Sequence, residues 1–222
     1  MAASNTDNGE VKARLLAFYK ALYRAFGPQG WWPGRTRFEI IVGAILTQNT
    51  SWANVEKAIR GLKKAGLLTP PRMHALGVKE LSGHIRPAGY FNIKAKRIKN
   101  FLDFLFDGYG GSLFKLFSSQ DGLRERFLGV NGIGPETADS IILYAGVMPE
   151  FVVDAYTRRV FSRHGFVSPG AGYEELKSLF MENLPGDALL FNEYHALLVR
   201  VGKDYCKAGR PLCGGCPLEA FL

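Results

Sequence analysis

Two carboxylates and a run of glycines stand close together in the middle of this 222-residue chain, in the stretch LGVNGIGPETADSIILYAGVMPEFVVDAYTRRV from Leu128 to Val160. Asp154 follows Val152 and Val153 and precedes a helix carrying Arg158 and Arg159. Aspartate is a preferred helix N-cap, so this carboxylate has a fixed place. A carboxylate held beside a carbon that becomes positively charged can stabilise that charge and orient or deprotonate water. Upstream, Gly129, Gly132 and Gly134 punctuate a segment too short for a helix, and Pro135 suits the first turn of the helix that follows. Glycines allow close approach by another molecule, and the N–H groups of a turn and a helix start favour anions such as phosphate. Glu136 is a second carboxylate at that helix start. The chemistry read here is the binding of a nucleic-acid backbone beside a carboxylate that acts on a bond.

Three further groups carry chemical character. Trp31-Trp32-Pro33-Gly34 is a loop with two adjacent indoles, and Trp52 follows the turn Leu46-Thr47-Gln48-Asn49-Thr50. Flat apolar faces of this kind can hold an extruded base, although paired tryptophans also serve as core plugs. Lys94, Lys96, Arg97 and Lys99 interleave with the apolar positions Ile98, Phe101, Leu102 and Leu105. That run reads either as a solvated helix face or as a contact to phosphates, with Lys94 and Lys96 the candidates for the latter. Cys206, Cys213 and Cys216, spaced C-x6-C-x2-C, are the only cysteines of the chain. In a cytosolic protein disulfides are rare, so clustered thiols point to ligation.

Helices must position these groups. Apolar steps of three and four residues mark an amphipathic helix over Val11 to Phe26, closed by Gly27-Pro28. Thr36 and Glu39 have capping-box spacing ahead of the apolar run Phe38 to Leu46. Further helices are readable over Ala53 to Lys64, Met73 to Leu76, Lys79 to Ile85, Ile93 to Phe106, Leu113 to Phe117, Leu123 to Leu128, Tyr173 to Leu184 and Leu189 to Asp204. No sustained period-two pattern marks a strand, so the fold expected is all-α. A 47% hydrophobic content fits a globular protein, no apolar run reaches spanning length, and the first ten residues lack a secretory signal. A cytoplasmic protein without membrane attachment is expected. The net charge of +8, from 28 basic and 20 acidic residues, fits a polyanionic partner.

The stretch from VNGIG to VVDAYTRRV resembles the helix-hairpin-helix and distal aspartate of the endonuclease III superfamily of DNA base-excision glycosylases. The resemblance implies a two-domain helical fold in which residues 36–148 carry the hairpin, while 1–35 and 149–222 form a second domain with Asp154 and the cysteine loop. It implies Asp154 as the catalytic carboxylate, Gln48 as the residue that fills the hole left by the flipped nucleotide, Gly132 and Gly134 as backbone contacts, and a monomer acting on double-stranded DNA with a damaged base. Where the glycosylase/lyases of that superfamily place a Schiff-base lysine, this chain has Glu136. A carboxylate cannot form an imine, so hydrolysis by water without strand nicking is expected.

Trp-Trp-Pro, then L-T-Q-N-T with an aromatic two residues on, then glutamate for lysine, is most similar to the 3-methyladenine DNA glycosylase branch. That branch implies a pocket of Trp31, Trp32, Pro33 and Trp52, with Glu136 favouring a cationic alkylated purine. The cysteines depart from it and resemble the iron–sulfur loop C-x6-C-x2-C-x5-C, whose fourth position is Leu222 here. A [4Fe–4S] cluster takes four thiolates as a rule. With three, either another ligand completes the set, or the loop has lost its cluster, or the chain has been cut short; chelated zinc is a lesser alternative. A three-cysteine cluster is the expectation retained. Two other functions fit parts of the pattern: an endonuclease III-like glycosylase for oxidised or mismatched pyrimidines, and a non-catalytic helix-hairpin-helix module in which Asp154 is an ordinary cap.

Overall fold

The computed structural model describes residues 3–222, with side chains from residue 9 onward. Twelve α-helices follow one another: α1 Ala3–Phe26, α2 Arg37–Thr47, α3 Trp52–Lys64, α4 Pro70–Ala75, α5 Val78–His84, α6 Phe91–Tyr109, α7 Leu113–Ser118, α8 Leu123–Leu128, α9 Pro135–Ser140, α10 Ala155–Arg163, α11 Tyr173–Asn183 and α12 Ala188–Asp204. No strand occurs among the described residues, and the all-α expectation holds. Two compact units divide the chain, one holding residues up to Trp31 together with Val147–Leu222, the other Trp32–Gly146. The breaks fall between two adjacent tryptophans and after Gly146, where the sequence placed them after residues 35 and 148.

The Trp32–Gly146 unit is built around α2. Thr36 caps it by accepting a hydrogen bond from the Glu39 N–H at 3.1 Å. The Glu39 carboxylate turns back to the Arg35 N–H, also at 3.1 Å, rather than to the cap residue itself. Phe38, Ile41, Val42, Ile45 and Leu46 are buried, so α2 contacts helices on several sides and lacks a polar stripe. Helices α8 and α9 flank the glycine turn and are clamped by Arg124, which donates to both oxygens of the fully buried Asp139 at 2.7 and 3.3 Å. Beyond α9 the helix widens into a π turn over Ile141–Ala145, with the Gly146 N–H donating to the Ile141 carbonyl at 3.1 Å. Periodicity gave no sign of that turn.

The other unit packs α1, α10, α11 and α12 around an aromatic core. Phe151 stacks on Phe180 at 3.6 Å between ring centres, and Phe18 meets Phe161, Phe166 and Phe221. Tyr194, fully buried on α12, donates its hydroxyl to the Leu15 carbonyl of α1 at 2.8 Å. Val152 and Val153 are buried at the entry to α10, which anchors the backbone immediately before Asp154.

Candidate active site

Asp154 occupies the N-cap of α10 in extended geometry, its Oδ1 accepting from the Thr157 N–H at 2.7 Å. Its side chain is only 14% exposed. The second oxygen, Oδ2, lies 3.7 Å from Nε2 of His195, a buried residue of α12 that the sequence reading passed over. Burial alone would raise the Asp154 pKa, but the His195 imidazole 3.7 Å away, with the hydrogen bonds from Thr157, holds it below the ordinary carboxylate value. The group is therefore an anion at neutral pH, fixed from two helices. An anion so placed can face a developing cation without reorganising. Apolar neighbours in the middle of a helix made His195 look like a core residue.

In the other unit, Gln48, Arg97, Gly132 and Thr137 form one hydrogen-bonded cluster. The Gln48 side-chain N–H2 donates to the Gly132 carbonyl at 3.1 Å and to the Thr137 hydroxyl at 2.9 Å, while Arg97 donates to the Gln48 side-chain oxygen. Gln48 is thus tied to the hairpin rather than projecting from its turn. The adjacent Asn49 is exposed and adopts a left-handed φ of 52°. Gly132 has φ +94° and the Arg97 side chain packed against the place where a Cβ would stand, so glycine is required there on two counts. Gly134, the N-cap of α9, faces open space, and Glu136, one residue past Pro135, is exposed.

One sequence expectation is overturned here. Lys94 is 1% exposed and donates to the carbonyls of Leu46 at 2.9 Å and Ala88 at 2.7 Å. It tethers the C-terminal end of α2, where carbonyls lack helical partners, and is not available to a phosphate. Burial, with Arg97 nearby, lowers its pKa to about 8. Lys96, two residues on, is exposed.

Trp32, Pro33 and Trp52 line one cavity of about 150 Å³ together with Glu39, Glu56, Arg60 and Lys63. The indoles of Trp32 and Trp52 meet edge to face at 5.1 Å, and Tyr144, carried by the π turn, lies 5.1 Å from Trp32. Gly43 of α2 makes room for this, since a Cβ there would stand 3.3 Å from the Trp32 ring. Trp31 is corrected to a different place. It lines a groove with Tyr19, Tyr23, Leu189 and Glu193 in the other unit, because the chain changes units between the two tryptophans. Glu136 is not among the residues that line the Trp32 cavity.

Residues 42–186 match the family of HhH-GPD superfamily base excision DNA repair proteins. The chain belongs to this superfamily of DNA glycosylases. Among HhH-GPD relatives it is 47% identical over 209 residues to a candidate DNA repair glycosylase, MJ1434, of Methanocaldococcus jannaschii, covering 93% of this chain and 94% of that protein. It is 30% identical to endonuclease III of Sulfolobus acidocaldarius, over 85% of this chain and 83% of the other. Among solved structures it resembles an endonuclease III–DNA complex with TM-score 0.81 and 25% identity, over 95% and 94% of the two chains. It also resembles the 3-methyladenine DNA glycosylase MagIII of H. pylori bound to 1,N6-ethenoadenine, with TM-score 0.75 and 26% identity over 87% and 97%. No helix among the described residues is long and apolar enough to cross a membrane.

At the C-terminal end of this HhH-GPD chain, Cys206, Cys213 and Cys216 line a single small cavity of about 30 Å³, beside His164, Glu219 and Leu222. Arg159 and Arg163 of α10 hold the loop. Arg159 Nε donates to the Cys206 carbonyl at 2.6 Å, and Arg163 donates to the Cys206 sulfur at 3.3 Å and to the carbonyls of Lys207 and Ala208. Burial first, and then the neighbouring thiols and Glu219, raise the pKa of Cys216. The three cysteines share the lining of one cavity and one of the sulfurs receives an arginine hydrogen bond, while Leu222 has no donor atom in its side chain. No three His, Cys, Asp or Glu side chains among the described residues converge on one metal-ion position.

Proposed function

We propose that the protein is a DNA glycosylase that hydrolyses the N-glycosidic bond of a flipped alkylated purine, 3-methyladenine in the first instance, using water and no lyase step. The observation that carries this reading is the cavity lined by Trp32, Pro33 and Trp52, where aromatic faces gather with Glu39 and Glu56, Lys63 being paired to Glu39 and Arg60 completing the charged lining. Electron-rich indoles suit a base that bears positive charge. The likeness to a 3-methyladenine glycosylase with an ethenoadenine in its structure supports the same class of substrate.

In this reading Asp154 stabilises the oxocarbenium-like sugar and orients the attacking water. A cationic base departs without a strong general acid, so no second acid is required. Glu136, at the position of the lyase lysine, adds negative charge and cannot form an imine. The hairpin N–H groups around Gly132 and Gly134, with Lys96, hold phosphates, and Gln48 fills the space the flipped base leaves after exchanging its bonds to Gly132 and Thr137 for DNA. The protein works as a cytoplasmic monomer on double-stranded DNA.

Cys206, Cys213 and Cys216 would hold a [4Fe–4S] cluster by three thiolates. When bound, the cluster would cross-link the C-terminal loop to the end of α12, and no step of hydrolysis passes through it. Iron and sulfide analysis with a visible spectrum tests this, and a colourless, metal-free protein refutes it.

The endonuclease III relatives favour a second reading, a glycosylase for oxidised or mismatched pyrimidines in which the tryptophans are core. Base release measured over methylated, deaminated and oxidised duplexes separates the two. Preference for an oxidised pyrimidine, with Trp32 and Trp52 replaceable, would refute the alkylation reading and leave the family intact.

A further inference from the structure

The two oxygens of Asp154 have separate partners on two helices. Oδ1 accepts from the Thr157 backbone within α10, and Oδ2 faces Nε2 of His195 from α12 at 3.7 Å. A cap bond alone leaves a carboxylate free to rock about its own axis, and a second anchor removes that freedom. The imidazole is 5% exposed, so it is shielded from the solvent that would screen its charge. Other cations on the neighbouring elements are engaged elsewhere: Arg158 donates to the Ala171 carbonyl, Arg159 to those of Cys206 and Gly202, and Arg200 pairs with Asp204. The Tyr173 hydroxyl accepts from the Val153 N–H at 3.4 Å. Among the described residues, His195 is the ionisable side chain that pairs with Asp154.

We propose that His195 is a positioning residue for Asp154, fixing its second oxygen from α12 so that the carboxylate keeps one orientation and stays an anion. The consequence for catalysis rests on the reading of Asp154 as the catalytic carboxylate. A protonated aspartate cannot stabilise a sugar cation, and a rotated one faces it poorly. As an imidazolium, His195 keeps the carboxylate ionised into acid. As a neutral ring, it still packs against Oδ2 while leaving the full negative charge to the sugar.

The first arm of the test needs no DNA. In protein carrying 13C-labelled aspartate, the Asp154 carboxyl carbon is titrated in wild type, His195→Gln and His195→Leu. The midpoint is expected to rise from wild type to the glutamine variant, which keeps a donor without the charge, and again to the leucine variant. An unchanged midpoint in both variants, with only a lower melting temperature, would overturn the proposal and leave His195 a packing residue. If the leucine variant fails to fold, the glutamine variant carries the test alone.

The second arm measures single-turnover base release from a duplex methylated with dimethyl sulfate, across pH. His195→Leu should lose about tenfold more at the acid end of the profile than at neutral pH, with kcat falling and KM unchanged. His195→Gln should recover the neutral rate. An equal loss at every pH would overturn the claim that His195 keeps Asp154 ionised, and no loss at any pH would overturn the positioning role itself. Asp154→Asn distinguishes the two levels of claim: undiminished release by that variant overturns the catalytic reading of Asp154, while the carboxyl titration still decides whether His195 governs it.

Discussion

Asp154 and Glu136 are both carboxylates at helix starts, and their surroundings are opposites. Asp154 is nearly enclosed, capped by its own helix and paired across to α12, whereas Glu136 is exposed one residue past the proline that opens α9. An enclosed, doubly held anion has its energy set by the protein before any ligand arrives. An exposed one responds to whatever docks against it. In the proposed mechanism this difference gives the chemical step to the first and discrimination among ligands to the second.

Breaking that contrast requires substitutions that keep shape. Asp154→Asn should reduce base release about a thousandfold, measured in single turnover, while Glu136→Gln should lower release of a cationic methylated purine only about tenfold. Comparable losses for the two would erase the distinction. Trp32→Ala should also reduce release at least about tenfold, since stacking on an extruded base is worth about 1–3 kcal/mol.

Lys94 and Lys96 sharpen the same contrast between built-in and responsive charge. Lys94→Met leaves two buried carbonyls without a donor and should destabilise the fold by about 2 kcal/mol in denaturant titration. The salt dependence of its DNA binding should not change. Lys96→Ala should do the reverse, lowering the slope of log affinity against log salt by about one and leaving the melting temperature in place.

A further effect of Lys94 concerns pH. The folded pKa of Lys94, about 8, lies below its ordinary 10.5, so the folded state binds fewer protons between those values. Stability therefore carries a penalty below pH 8 that is relieved as pH rises toward 10.5. Wild type should gain stability relative to Lys94→Met across that window. For Asp154 the sign is opposite: its lowered pKa contributes stability present above the ordinary carboxylate value and lost as pH falls through the folded one.

What was legible from sequence is local. Capping by Thr36 and Asp154 involves a residue and its neighbour three positions on, and both were readable. The positive φ of Gly132 belongs to a turn spelled out in glycines. What escaped depends on distant partners. Lys94 shares a helical stripe with the buried Ile98, Phe101, Leu102 and Leu105, a phase that could have placed it inside, but its acceptor at Leu46 lies in another helix. The Gln48 amide meets Gly132 and Thr137 more than eighty positions away, so its turn looked free. Adjacent indoles in one loop gave no hint that they part into two units.

The π turn at Ile141–Ala145 bears on the aromatic cluster. Such a turn is wider than a regular α-helical one. Tyr144 reaches Trp32 from within it, so the place of the third ring depends on the local winding of the backbone as well as on the residue type. A one-residue deletion in this segment would turn the following side chains by roughly 100° about the axis. The aromatic cluster is therefore sensitive to the length of this segment, where an exchange of one exposed side chain for another would leave it untouched.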